Sequence, residues 1–151
     1  ANLYGPGDNF HPEHAHALPM LLARMHEAKV SGEPECVVWG SGTPRREFLH
    51  VDDLSRACFH LMEEHTAAEI GPHVNIGVGS DLSIIELATL IKEVVDYSGR
   101  LVLDSSKPDG TPQKLLDISR ITQTGWKPEI SLETGLQDTY EAFLSSNEIR
   151  R

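Results

Sequence analysis

Stretches of helical and of extended periodicity alternate along this chain, and that alternation restricts its fold more than any other feature. Leu18, Leu21, Leu22, Met25 and Ala28 recur at i, i+3, i+4 and i+7. So do Ile84, Leu87, Ala88, Ile91, Val94 and Val95, and a looser set of Leu132, Leu136, Tyr140, Phe143 and Leu144. Each set predicts a helix with one apolar stripe. Between them lie short runs that predict strands: Glu35–Trp39, 46–51, 73–78 and 101–103. Asn2-Leu3-Tyr4 reads as the end of a further buried strand. Strands alternating with helices predict an α/β fold. They are few and short, so a small mixed domain is expected rather than a complete doubly wound sheet. The 151 residues suffice for one domain with its own core.

Local signals set the boundaries. Gly32 and Pro34 stop the first helix, and Pro19 is tolerable in its first turn. Ser83 and Glu86 have the spacing of a capping box, and Ser131 caps the last helix. Asp52 or Asp53 is expected to N-cap a helix whose inward face is Leu54, Ala57, Cys58, Leu61 and Met62. A short helix is expected over 118–124, stopped at Gly125. Residues 1–17, 40–44 and 104–114 are rich in Gly, Pro and polar residues and predict loops.

Composition excludes several functions. Thirteen Lys and Arg against 23 Asp and Glu give a net charge of −10, against the basic face that nonspecific nucleic-acid binding needs. No apolar run approaches the roughly 18 residues of a membrane span, and residues 1–8 carry no signal-peptide pattern. Cys36 and Cys58 lie outside any CxxC motif and predict reduced, buried thiols in a cytoplasmic protein. A start without Met, at what reads as a strand end, leads us to expect a fragment or a processed chain.

The side chains that could carry chemistry sit in the loops. Gly77-Val78-Gly79 and Gly40-Ser41-Gly42 both lack the third glycine of a dinucleotide fingerprint, and no P-loop occurs. His11, His14 and His16 crowd together, but no further ligand follows at zinc-site spacing, so no metal site is expected. One of them could serve as an acid or base near neutral pH. Arg24, Arg45, Arg46, Lys107 and Lys114 lie at loop edges or on the first helix, where they could gather into one anion site. Trp39, directly before a turn, could stack on a ring or pack in the core.

Asn2-Leu3-Tyr4-Gly5-Pro6 followed by Arg46-Glu47-Phe48-Leu49-His50-Val51-Asp52-Asp53 resembles the extended short-chain dehydrogenase/reductases that act on nucleotide sugars. Gly7-Asp8-Asn9-Phe10-His11-Pro12 with His16, Val38-Trp39-Gly40-Ser41-Gly42-Thr43-Pro44, and Ser106-Lys107-Pro108-Asp109-Gly110-Thr111-Pro112 are more specific. They resemble the GDP-L-fucose synthase family, the 3,5-epimerase-4-reductases of GDP-4-keto-6-deoxymannose. The resemblance implies the C-terminal substrate-binding portion of such an enzyme, lacking most of the Rossmann domain. Residues 1–17 would be the tail of the cofactor domain and an active-site loop. Residues 18–151 would be the nucleotide-sugar domain, with β-strand 2–4 and the helix from Leu54 packing on the Rossmann part.

The same resemblance implies roles residue by residue. His16 matches the catalytic histidine of the epimerisation. Ala1, Asn2, Leu3 and His16 match the segment beside the nicotinamide of NADPH. Arg24 and Arg46 would neutralise the GDP pyrophosphate, Trp39 would line the nucleotide pocket, and Asp109 would meet guanine or sugar hydroxyls. Arg45 would be a surface residue. The family's Rossmann glycines, Tyr-x-x-x-Lys group and epimerisation cysteine have no counterpart here, and neither Cys36 nor Cys58 matches that cysteine. The chain alone is therefore expected to be inactive, and the complete enzyme to be a cytoplasmic homodimer. Alternative readings are another NAD(P)-dependent nucleotide-sugar epimerase/reductase, or a noncatalytic nucleotide-sugar binding module.

Overall fold

The computed structural model describes residues 1–11 and 14–149. Pro12 of the motif above, and the last two residues of the 18–151 segment, lie outside the described residues. The elements run β1 (Asn2–Tyr4), α1 (Ala17–Ser31), β2 (Glu35–Trp39), β3 (Arg45–Arg46), β4 (Phe48–His50), α2 (Val51–Glu64) and α3 (Ala67–Ile70). Then follow β5 (Leu82–Ser83), α4 (Ile84–Val95), β6 (Arg100–Asp104), β7 (Gln113–Lys114), α5 (Ser119–Gln123) and α6 (Leu132–Ile149).

The fold is α/β, and its strands form three small sheets. β1 runs parallel to β4, β2 runs parallel to β6, and β3 lies between antiparallel β5 and parallel β7. The main core joins Leu18, Leu22 and Met25 of α1 to Leu87, Ala88 and Ile91 of α4, Leu136 and Phe143 of α6, and Cys36 and Val38 of β2. A second cluster gathers Leu49, Ala57, Leu61, Ile121 and Trp126. At three of the helix ends that the sequence marks, the backbone agrees. Gly32 closes α1 in the left-handed conformation, the Ser83–Glu86 box opens α4, and the Ser131 hydroxyl accepts from Thr134 N–H at 3.2 Å.

Several expectations need correction. The run 46–51 is not one strand: Glu47 interrupts it between β3 and β4, and Val51 already belongs to α2. Neither Asp52 nor Asp53 is the N-cap of α2. His50 is, its Nδ1 accepting from Asp52 N–H at 3.3 Å. Asp53 is buried instead, and its two carboxylate oxygens accept from Glu129 and Ile130 N–H, each at 3.0 Å, with Arg56 on the same carboxylate. This bracket turns the edge Asp53, Ala57 and Leu61 inward, so Cys58, Phe59 and Met62 are exposed. Cys58 is thus not a buried thiol, whereas Cys36 is.

Residues 73–78 form no strand and join no sheet. Val74, Ile76 and Val78 pack on the second cluster, as their alternation requires. Their neighbouring backbone is held by a side chain rather than a strand: Glu47 Oε1 accepts from Val78 and Gly79 N–H, both at 2.6 Å. A Cβ on Gly77 would fall 2.4 Å from that oxygen, so any larger residue there would push the Glu47 carboxylate off these donors. Three elements escape the periodicity because they are short: α3 with its Thr66–Glu69 capping box, β5, and β7 at the end of the polar loop.

Candidate functional site

A cavity of about 350 Å³ opens where the start of α1, the end of β2, β3 and the 108–110 loop converge. Asn2, Leu3, His16, Trp39, Arg46 and Asp109 all line it, joined by Lys114. These residues are dispersed over more than a hundred positions of sequence, and parallel pairing brings them together. β1 beside β4 places Asn2 opposite Phe48, and β3 beside β7 places Arg46 opposite Lys114. His16 is the exposed N-cap residue of α1, and its side chain caps nothing.

Two adjacent arginines have opposite fates because successive strand residues face opposite sides. Arg45 is consumed by the protein. Its Nε donates to Asp81 Oδ1 at 2.7 Å, its Nη2 to the Asp81 carbonyl at 2.9 Å, and its Nη1 to Glu86 at 3.4 Å. Arg46 turns into the cavity. Its Nη1 is steadied by the carbonyls of Arg45 (2.7 Å) and Thr111 (2.6 Å), and among the described residues no carboxylate pairs with it. An oriented guanidinium without a counter-ion is suited to an anionic ligand.

Arg24 is placed differently from the others. It is not a lining residue of this cavity, but its guanidinium carbon stacks 3.8 Å from the Trp39 ring centroid, with Lys107 Nζ at 5.5 Å. Arg24 also borders an adjoining groove of about 690 Å³, with Phe10, His11 and Glu27. The indole is thus a half-exposed platform at the cavity edge rather than core. Ala1 is exposed and lines neither concavity.

Asp109 closes the rim. Its Oδ1 accepts from Ser41 N–H at 2.8 Å and clamps the polar loop onto the 40–42 turn. Gly40 is required there: its φ is +81°, and a Cβ would meet Asp109 Oδ1 at 2.3 Å. Hydrogen bonds from the side chain and backbone of Ser41 hold the Asp109 carboxyl below its usual range. Ser106 does the same for Asp104, and Ser119 for Asp117. A carboxyl pKa lowered on folding contributes stability above the ordinary carboxylate range and loses it as pH falls through the folded value. The amide resonances of Ser41, Ser106 and Ser119 are therefore expected to shift together below about pH 4. Resonances unchanged down to about pH 2 would show that these clamps do not form.

Several backbone N–H groups of the two glycine turns are already spent within the protein. Those of Val78 and Gly79 are spent on Glu47, and that of Ser41 on Asp109. Asn2 is also engaged, both its backbone N–H and its Nδ2 donating to the Glu47 carbonyl at 2.9 Å. Cys36 is buried in β2, where burial pushes its thiol up, and no cysteine lines the cavity. Lys114 was among the loop-edge cations that the sequence offered for an anion site, although the family resemblance gave it no role, whereas Glu47 was not foreseen as a brace. The charge of Lys114 at the loop edge was the available signal, and nothing local marked Glu47.

The chain is similar to known proteins over almost its whole length. Residues 1–77 match the model of the NAD dependent epimerase/dehydratase family. A probable GDP-L-fucose synthase 1 of Oryza sativa subsp. japonica is 57% identical over 145 residues, covering 96% of this chain and 43% of the relative. A GDP-L-fucose synthase of Escherichia coli is 54% identical over 154 residues, covering 97% and 48%. The structure of a GDP-L-fucose synthetase from Naegleria fowleri bound to NADP superposes with a TM-score of 0.85 at 30% identity, covering 97% of this chain and 46% of that one. The chain thus spans less than half the length of the curated relatives it matches.

Proposed function

The chain belongs to the NAD dependent epimerase/dehydratase family, and from that membership we propose that it is the substrate-binding part of a GDP-L-fucose synthase. The reaction is conversion of GDP-4-keto-6-deoxy-D-mannose to GDP-L-fucose. The observation that carries this reading is the cavity where His16, Arg46 and Lys114 meet Trp39, with Arg24 stacked on the indole. In a chain of net charge −10, that gathering of cations suits a diphosphate, and the indole face suits a base or sugar ring.

In this reading Arg46, held by two carbonyls, binds the pyrophosphate, with Arg24 and Lys114 beside it. Trp39 lines the nucleotide pocket. Asp109 shapes the rim through Ser41 and leaves its second oxygen for a hydroxyl. His16 moves protons: the 4-keto group acidifies the hydrogens on C3 and C5, and an imidazole can give and take a proton near neutral pH. Its partner in the inversion comes from outside the described residues, since neither cysteine reaches the cavity. Ala1, Asn2 and Leu3, with His16 nearby, form the segment that passes the nicotinamide end of NADPH. NADPH supplies the hydride for reduction at C4, and its pyrophosphate is held by chain beyond these residues.

Residues 1–17 then belong with the cofactor domain and residues 18–151 with the substrate domain. Two observations support packing of β1, β4 and α2 against the cofactor domain. β1 and β4 pair only with each other among the described residues, and α2 exposes Phe59 and Met62. We place the complete enzyme in the cytoplasm as a homodimer. Free Cys36 and Cys58 suit a reducing compartment, and among the described residues no helix is long and apolar enough to cross a membrane.

The test is calorimetric titration with GDP. Arg46→Ala is expected to weaken binding by about 1.5–3 kcal/mol, roughly 10- to 150-fold in Kd. Arg45→Ala, which removes a guanidinium already bound to Asp81 and Glu86, is expected to leave the affinity unchanged. Equal effects of the two substitutions, or none from Arg46→Ala, would overturn the assignment.

A further inference from the structure

A second cluster of chemistry-bearing side chains lies outside the cavity, at the C-terminal end of α2. His60 and Glu64 are four residues apart on one helical face, and His65 is the C-cap residue. One ligand atom from each lies within 4.8 Å of the others. His60 Nδ1 is 3.3 Å from Glu64 Oε2, and the two imidazole rings meet edge to face with centroids 5.2 Å apart.

Hydrogen bonding fixes the tautomer of His60. Its Nε2 lies 3.1 Å from both the carbonyl oxygen and the hydroxyl oxygen of Thr124. The carbonyl can only accept. The hydroxyl donates its proton to the Ile121 carbonyl at 2.6 Å, so it too accepts from His60. Nε2 therefore carries the hydrogen, and a neutral His60 turns its Nδ1 lone pair toward the Glu64 carboxylate. At that spacing the two groups are bridged either by a proton, as in an imidazolium–carboxylate pair, or by a metal ion that takes its place. The 3.3 Å separation is the ligand-to-ligand spacing of a tetrahedral ion with bonds of about 2.0–2.2 Å. The Thr124 carbonyl behind His60 is the kind of outer partner that orients a metal-bound imidazole. His65 adds the third donor, and its Nε2 is buried without a hydrogen-bond partner among the described residues.

We propose that His60, Glu64 and His65 form a binding site for a divalent transition-metal ion of the zinc type, with water in the fourth position. Two imidazole nitrogens and one carboxylate oxygen favour zinc, cobalt or nickel over calcium or magnesium, which take oxygen ligands. Bound there, the ion would fasten the last turn of α2 to the segment that leaves it. It would also raise the thermal midpoint in proportion to its occupancy.

The experiment uses untagged protein at about pH 8, where ordinary imidazoles are neutral, titrated with cobalt chloride and then with zinc chloride. One equivalent of cobalt should give the visible absorption of a low-coordinate site, zinc should bleach it, and the thermal midpoint should rise with zinc. Glu64→Gln and His65→Asn alter residues that are not part of the core, and circular dichroism checks that each variant folds. Each should weaken zinc binding about tenfold or more. Absence of saturable binding below about 1 mM zinc would overturn the proposal. So would binding that survives both substitutions but is lost in a His11→Ala/His14→Ala variant, since the ion would then sit on the amino-terminal loop.

Discussion

His16→Asn, made in the complete enzyme, is expected to slow epimerisation by about 10²–10⁴-fold, the range that positioned acid–base groups contribute. The imidazole sits at the mouth of α1 with no capping bond to break, so the substitution removes a proton carrier without removing a helix cap. The reading is exchange of solvent deuterium into C3 and C5 of the 4-keto sugar, followed by mass spectrometry. Reduction of an already epimerised 4-keto substrate should fall far less, because the proposed role of His16 is in epimerisation and not in hydride transfer. Wild-type deuterium incorporation in the variant would remove His16 from the chemistry. Loss of GDP binding as well would mark it as a binding residue instead.

Glu47→Ala is expected to be the most damaging single change to stability, about 3–5 kcal/mol. The side chain is fully buried, and it holds Val78 and Gly79 N–H on one oxygen and Leu116 N–H, at 3.2 Å, on the other. Truncation would leave three backbone donors facing an apolar void. Glu47→Gln keeps an acceptor for the 78–79 pair and should lose less than half as much. Urea denaturation followed by circular dichroism measures both. A cost below about 1 kcal/mol for Glu47→Ala would mean that those donors find water or another acceptor.

The cleft depends on the same brace. Glu47 sits between Arg46, which enters the cavity, and Phe48, which starts β4. It ties the 76–79 segment and the approach to α5 onto the strands that carry Arg46. A glutamate beside an arginine looks like an unremarkable polar pair in the sequence. Only its distant partners, 31 and 69 residues away, reveal its role. Similarly, the adjacent Arg45 and Arg46 cannot be distinguished by composition. The motif resemblance favoured Arg46, and the pleat supplies the physical reason.

Elements whose causes lie within a turn or two of chain were legible beforehand. The stripes of α1, α4 and α6, the Ser83–Glu86 box, the Gly32 stop and the apolar run of β2 each need only neighbours three or four residues away. The α/β class followed from their alternation. Tertiary structure decided everything whose partner is remote. It rotated α2 so that Cys58 faces solvent, left 73–78 unpaired in the grip of Glu47, and set Lys114 beside Arg46 across a strand pair. Charge and hydrogen-bonding capacity are fixed by residue type, but the atom that satisfies them is chosen only when segments far apart in the chain are brought into contact.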